Sequence, residues 1–410
     1  MELPKGWIKT SLGDITISEK GKKPKTLGEQ SSKNSYPYID IKAFEKGEIR
    51  QYTDGEKCRL CEKDDILIVW DGARSGLVGK AINGAIGSTL ARVRSNVVEN
   101  SYLYYFLFGN YNKINTNTKG IGIPHVDPNY LWNLTFLLPP LPEQHRIVEK
   151  IEELFSELDN GIEQLQKAKE QIKTYRQSVL KAAFENNNVE KVAFENIILS
   201  SQNGISKRSG NEGADYNVLR LADINLGEIS EESPRKIKLT DKEIEKYKLS
   251  NGDLICIRVN GSKDLVGRMI LFNGKQNWAF CDHFIRYKLN LKIVIPKFYK
   301  YLFSSETSRK YIGLNMVSSA GQNTVSQKTI NIYDVPLPSL TSQKQIVSEI
   351  EERFSVADKL EENIDKSLLQ AEAMRQSILK KAFEGKLVPQ NEQDEPAEKL
   401  LERIKKLSET

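Results

Sequence analysis

Cys58 and Cys61 open the search for chemistry, because a Cys-x-x-Cys pair is half of a tetrahedral zinc site. No second pair stands at usable spacing: Cys256 and Cys281 are distant, and His125, His145 and His283 are scattered. The pair therefore reads as two small, half-buried thiols, and no metal site is expected. No Gly-x-x-x-x-Gly-Lys-Ser/Thr segment occurs to cradle a nucleotide's phosphates, which argues against ATP hydrolysis by this chain. What does recur is basic and amide residues in glycine-rich loops. The first part of the chain offers Lys20, Lys22, Lys23, Lys25, Arg74, Ser75, Lys119 and His125. The second offers Gln202, Asn203, Lys207, Arg208, Lys263, Gln322 and Asn323. Cations neutralise phosphates, and Arg, Asn and Gln present the paired donors and acceptors that read base edges. Each residue taken singly is as readily a solvated surface group. The Lys20–Lys25 cluster and the loops around Arg74 and Lys263 are the foremost candidates, with Gly120–Val126 and Gly321–Val325 next.

The elements that must position these loops are duplicated. Ile147-Val148, Ile151-Glu152-Glu153 and Phe155-Ser156 recur 199 residues on as Ile346-Val347, Ile350-Glu351-Glu352 and Phe354-Ser355. The same offset carries Arg176-Gln177-Ser178 onto Arg375-Gln376-Ser377 and Ala183-Phe184-Glu185 onto Ala382-Phe383-Glu384. Roughly half of the positions from Leu138 to Glu185 match identically in this way. The segments between the copies share only a skeleton. Asp65-Ile66-Leu67-Ile68 pairs with Asp253-Leu254-Ile255-Cys256, Leu77–Lys80 with Leu265–Arg268, and Phe44–Ile49 with Ile224–Ile229.

The repeated segments predict long helices. Apolar residues step by three and four through Ile147, Ile151, Leu154, Leu158, Ile162, Leu165, Ala168, Ile172, Tyr175 and Val179. They do so again through Ile346, Ile350, Phe354, Ala357, Leu360, Ile364, Leu368, Ala371, Met374, Ile378 and Ala382. Pro142-Glu143 suits a first helical turn; Thr341-Ser342 departs from it in the second copy. A rod of about 65 Å cannot bury its stripe on a small domain, so the natural partner of each rod is the other, antiparallel. The intervening segments mix short strands (Ile66–Val69, Ala91–Val93, Leu254–Ile257, Ile285–Leu289) with glycine turns. Asp71–Gly76 and Asn260–Asp264 follow strands at equivalent places.

The chain has 410 residues, 39% of them hydrophobic, and a net charge of +5, compatible with a polyanionic partner without requiring one. No stretch approaches the roughly 18–20 apolar residues of a membrane span. Met1–Trp7 lacks a secretory pattern, and four cysteines make no disulfide framework, so a cytoplasmic protein is expected. Asp127-Pro128-Asn129-Tyr130 resembles the Asp-Pro-Pro-Tyr box of adenine methyltransferases but lacks its second proline. No S-adenosylmethionine loop precedes it, so it reads as a turn before a Leu131–Leu138 strand. Two similar readers joined by a rigid spacer suit DNA, whose half-sites recur every ~34–36 Å on one face. A competing reading is a coiled-coil adaptor joining two proteins.

Leu138-Pro139-Pro140-Leu141-Pro142-Glu143-Gln144, running to Arg176-Gln177-Ser178-Val179-Leu180-Lys181-Ala182-Ala183-Phe184, resembles the central conserved region of type I restriction–modification specificity subunits. The second copy, with Gly385-Lys386-Leu387-Val388-Pro389 and Glu395–Leu401, is similar to the family's C-terminal region, and Pro4–Trp7 with Leu12–Ile15 to its opening. The resemblance implies an α+β chain. Target recognition domains at 1–140 and 189–338 would alternate with helices at 141–188 and 339–385 that form an antiparallel coiled coil, before a tail with a short helix at 386–410. It implies double-stranded DNA as ligand, each domain reading half of a bipartite target. It also implies two modification subunits that methylate adenine at N6, restriction subunits beside them, and no catalysis by this chain. S-adenosylmethionine, ATP and Mg2+ are then expected in the partners.

Overall fold

Two 44-residue helices, Leu141–Phe184 and Leu340–Phe383, occupy the duplicated segments. The computed structural model describes residues 3–185, 189–225, 228–230, 232–274 and 277–408. These fall into two units, Met1–Leu165 with Lys366–Thr410 and Gln166–Asp365, so each unit holds one globular head and one stretch of each helix. Where the second copy lacks Pro-Glu, Ser339 takes over: its hydroxyl accepts the Ser342 backbone N–H at 3.2 Å, capping the new helix. The second helix stops at Gly385, whose φ of +68° lets Lys386 N–H reach the Lys381 carbonyl and Gly385 N–H the Ala382 carbonyl. A Cβ there would also lie 2.5 Å from Pro4.

The helix stretches pair antiparallel within each unit. In the first, the Arg375 guanidinium bonds the Asp159 carboxylate and lies 4.7 Å from the centre of the Phe155 ring. In the second, Arg176 bonds Asp358 at 2.6 Å and lies 5.2 Å from the Phe354 ring, while Lys169 meets Asp365 at 2.6 Å. Partner numbers thus fall on one helix as they rise on the other. The 199-residue offset carries Phe155, Asp159 and Arg176 onto Phe354, Asp358 and Arg375, so the two contacts are copies of one device. Ile147, Ile151 and Phe155 are buried in one unit, and Val179, Leu180 and Ile350 in the other. The stripe is not buried throughout, however. Leu360 and Met374 are 51% and 54% exposed. Leu154, Leu158, Ile162, Ala371 and Met374 line an open groove of about 330 Å³ around Gly161, which has no side chain to fill it.

The heads share one plan. In the first, strands Ile17–Lys20, Leu90–Arg94, Ile66–Val69 and Val78–Lys80 lie side by side, all antiparallel. In the second, Ile198–Asn203, Phe284–Leu289, Leu254–Ile257 and Met269–Leu271 repeat that order. Each head adds a second sheet with one parallel pair, Tyr38 beside Ala85 in the first and Val218 beside Ala279 in the second. In each, the strand leading into a long helix pairs with the strand that begins the head: Ile8–Ser11 with Thr135–Leu138, and Lys191–Ala193 with Asp334–Pro336.

Three readings of the sequence need correction. Gly76 N–H reaches the Val69 carbonyl and Gly267 N–H the Ile257 carbonyl, so Gly76, not Gly79, is the counterpart of Gly267. The second loop is three residues longer, which displaced the match of Leu77–Lys80 to Leu265–Arg268. Asp127 is no simple turn: its carboxylate caps a short helix, Pro128–Trp132, and the strand starts only at Thr135. Phe44 lies in a helix, Ile41–Lys46, whereas Leu221–Asp223 is a single tight turn leading into paired strands; Leu226 and Gly227 of the supposed match lie outside the described residues.

A buried glutamine ties each head to the start of a long helix. Gln144 accepts the Glu99 N–H at 2.7 Å and donates to the Pro139 carbonyl at 3.0 Å. Gln343 accepts the Ile295 N–H at 2.7 Å and donates to the Pro338 and Ile293 carbonyls at 2.8 and 3.0 Å. Gln343→Leu leaves these groups unpaired in the interior, so the urea unfolding transition of the second unit should lose about 1–3 kcal/mol. The exposed neighbour variant Gln345→Leu should leave it unchanged.

Candidate nucleic-acid interface

In the first head the loop after strand Ile66–Val69 meets the hairpin formed by Thr118–Lys119 and His125–Val126. Val126 N–H bonds the Trp70 carbonyl at 2.9 Å, Gly72 N–H the Pro124 carbonyl at 2.7 Å, and Asp71 bridges His125. Lys20 joins them through Asp71 at 2.8 Å. Lys119 meets Asp127 at 2.9 Å and Arg74 meets Glu45 at 2.7 Å. These cations are half or more exposed, and such pairs are worth only about 0–1 kcal/mol, so a phosphate can compete for them. Lys22, Lys23 and Lys25 are exposed and have no ion pair among the described residues. Ser75 is a correction. Its hydroxyl is buried, donating to the Gly72 carbonyl at 2.7 Å with the Trp70 and Pro124 carbonyls at 3.2 Å, so it pins the loop and does not face solvent.

The second head repeats the crossing with other side chains. Arg258 N–H bonds the His283 carbonyl at 2.7 Å, and Val325 N–H bonds the Arg258 carbonyl at 3.0 Å. Val259 and Asn260 pair with Thr324 and Asn323. Asn323 is likewise a correction: it is buried, and its amide donates to the Gly261 and Asn260 carbonyls at 2.9 and 3.3 Å. Gln322 beside it is exposed, as is Lys263, whose carbonyl accepts from Arg309. Burial, with Arg268 nearby, holds the Arg309 guanidinium below its ordinary range. Half-buried Gln202 donates to the Asn203 carbonyl, and the buried Asn203 side-chain oxygen has no hydrogen-bond partner among the described residues. Arg208 stands 3.6 Å from Asp282. Lys207 is drawn away, to Glu243 at 3.0 Å and the Lys238 carbonyl.

Cysteine chemistry is quiet. Cys61 donates to the Ile82 and Gly84 carbonyls, and burial pushes its thiol up to about 11; Cys58 bonds the Gly55 carbonyl. Cys281, Asp282 and His283 bring three potential ligand atoms within 4.8 Å of one another. Burial raises the Cys281 thiol, and the Asp282 carboxylate already faces Arg208 and, at 3.2 Å, His283. That set suits a loop brace better than a cation.

The type I restriction modification DNA specificity domain matches residues 4–174 and again 180–370. The chain belongs to that family. It is 30% identical to the StySPI specificity subunit of Salmonella potsdam, across 98% of this chain and 96% of that one. It is 26% identical to the EcoKI specificity subunit of Escherichia coli K12 over the same shares. Its fold is similar to a chain solved in a study of type I restriction–modification assembly, with a TM-score of 0.74, 19% identity and coverage of 94% and 100%. The HsdS subunit of Thermoanaerobacter tengcongensis gives 0.57 and 18%, covering 94% and 99%. Among the described residues no helix is long and apolar enough to cross a membrane.

A candidate that sequence reasoning did not single out is Arg258. It stands where the first head has Trp70, whose ring centre is 6.3 Å from that of Trp132. Its guanidinium has no hydrogen bond or ion pair among the described residues, although its backbone is held on both sides. Flanked by Ile257 and Val259 with no glycine beside it, it carried no loop signal. The split between pins and free side chains is testable. Asn323→Ala should lower the second unit's stability by about 1–3 kcal/mol, whereas Gln322→Ala and Lys263→Ala should leave the thermal midpoint within about a degree of wild type.

Proposed function

We propose that the chain is the non-catalytic subunit that chooses the DNA sequence for a type I restriction–modification enzyme, each head reading one half of a split double-stranded target. The observation that carries this is two heads of one backbone plan whose loop crossings hold different side chains, Trp70 against Arg258 and Ile123 against Gln322. A repeated frame with unlike tips suits two unlike half-sites better than two copies of one. The paired helices then space the heads and offer the groove around Gly161 and the exposed Leu360 and Met374 to partner subunits. Those partners are two adenine-N6 modification subunits and the restriction subunits. S-adenosylmethionine, ATP and Mg2+ belong to them, and the assembly works in the cytoplasm. Lys20, Lys22, Lys23, Lys25, Arg74 and Lys119 with His125 serve the first half-site. Gln202, Asn203, Arg208, Arg258, Lys263 and Gln322 serve the second.

The purified chain should transfer no methyl group from S-adenosylmethionine to DNA, and adding modification subunits should produce N6-methyladenine at one split motif. Methyl transfer by the chain alone would overturn the proposal. Replacing residues 1–140 with a relative's equivalent should change one half of that motif; a hybrid with both halves changed counts against it. Binding by the assembled complex should fall with salt at a slope of about −0.9 per phosphate neutralised, whereas a protein-joining adaptor has no such dependence. Arg258→Ala should cost about 1–3 kcal/mol of specific affinity and relax a single position of the second half-site.

A further inference from the structure

Among the described residues of the first head, the most exposed large apolar side chains are neither in its core nor on its helices. Ile121 is 111% and Ile123 70% exposed, at the tip of the hairpin between Lys119 and His125. The hairpin base is fixed: His125 bridges Asp71, Pro124 accepts from Gly72, and Val126 bonds the Trp70 carbonyl. The tip is shaped by Gly120, at a φ of +102°, where a Cβ would lie 2.4 Å from the Ile123 carbonyl. A glycine-built turn that holds two isoleucines in water, next to a lysine and on a firm base, forgoes burial that a polar tip would not miss. The 199-residue offset places Ala320, Gly321 and Gln322 where this hairpin has Ile121, Gly122 and Ile123. There the residues are also exposed, on the hairpin of Val317–Ser319 with Gln322–Thr324.

A two-stranded antiparallel ribbon is one of the shapes that the major groove admits. In that groove the one apolar feature of a base pair is the thymine 5-methyl group, and aliphatic side chains read it by contact, whereas Gln reads a hydrogen-bonding edge. We propose that the hairpin tip at 120–123 is a base-reading finger, Ile121 and Ile123 seating a thymine methyl in the half-site assigned to the first head. The claim rests on the DNA-reading function proposed above and names a contact within it. The second head's finger, with Gln322 at the corresponding place, lacks the apolar contact, so the two tips differ in the kind of base feature they accept.

The test uses the complete complex with its modification subunits. Its motif is first mapped by sequencing N6-methyladenine, and the first half-site is assigned by the head exchange. Duplexes carrying that motif are then compared with duplexes in which deoxyuridine replaces each thymine of the first half-site in turn, which deletes one methyl group and nothing else. One replacement should weaken wild-type binding about threefold to tenfold. The double variant Ile121→Ala, Ile123→Ala should weaken binding to the thymine duplex by a similar factor and no longer distinguish uridine from thymine. Both side chains lie outside the core, so its thermal midpoint should match wild type. A wild-type complex indifferent to every uridine, or a half-site with no thymine on either strand, overturns the finger. So does a variant that binds less tightly yet still discriminates, which would mark the tip as a sequence-blind wedge. A wild-type complex that ignores the mapped motif altogether overturns the specificity function itself, and the finger with it.

Discussion

Neither long helix can bury its apolar stripe alone, and the antiparallel pairing that follows is the constraint on which the rest depends. Magnitudes say which part of the contact holds and which part aligns. An exposed ion pair such as Arg176 with Asp358 is worth about 0–1 kcal/mol, and a guanidinium over a ring adds about 0.5–1. Burying Val179, Leu180 and Ile350, at about 1.5–3 kcal/mol each, outweighs both. The arginine's contribution is register. Phe354 and Asp358 are one turn apart, and Arg176 reaches both at once, so a slip of one helical turn forfeits the ring, the carboxylate or both. The copy made by Arg375 with Phe155 and Asp159 sets the same register by the same means in the other unit.

Register passes from helix to head through two kinds of contact. The glutamines are one. Each satisfies a backbone N–H at the start of a short head helix, Asn100–Gly109 or Pro296–Leu302, so the head cannot rotate about the long helix without orphaning a buried donor. The aromatic ends are the other. Phe383 packs edge-on against Tyr102 and Phe106 in the first unit, and Phe184 against Phe298 in the second, with centroids 5.2 to 5.4 Å apart. Within each unit one stretch of helix therefore holds the head by a polar link and the other by an aromatic one.

Much of this was legible in the sequence because it is periodic or repeated. The steps of three and four through Ile147 and Ile346 announce the helices, and the 199-residue offset announces that they are two versions of one element. The strands Ile66–Val69 and Leu254–Ile257 declare themselves as short apolar runs. What stayed hidden depends on pairing across the chain. A loop three residues longer shifts the true match of Gly76, and only the hydrogen-bond ladder shows it. Ser75 and Asn323 look like ideal base readers by residue type, yet a polar side chain beside free carbonyls folds back to satisfy them. Leu360 and Met374 follow the helical stripe yet are half exposed, Met374 on an open groove that Gly161 and Ala371 are too small to fill.

The division between pins and tips explains how one frame can carry two unlike sets of exposed side chains. The bonds shared by the two crossings are made to main chain: Val126 and Val325 to the carbonyls of Trp70 and Arg258, Ser75 to Gly72, Asn323 to Gly261. None of these bonds involves the side chain at 70, 258, 123 or 322. Ile123 and Gln322 can therefore differ without breaking any of them, as can Trp70 and Arg258, although the Trp70 ring also packs against the first core beside Trp132. A frame that anchored its loops through the tip side chains would tie each change of tip to a new fold of the loop. Here the crossing is held by backbone groups and by the inward-facing Ser75 and Asn323, and the exposed Ile123 and Gln322 differ without touching it.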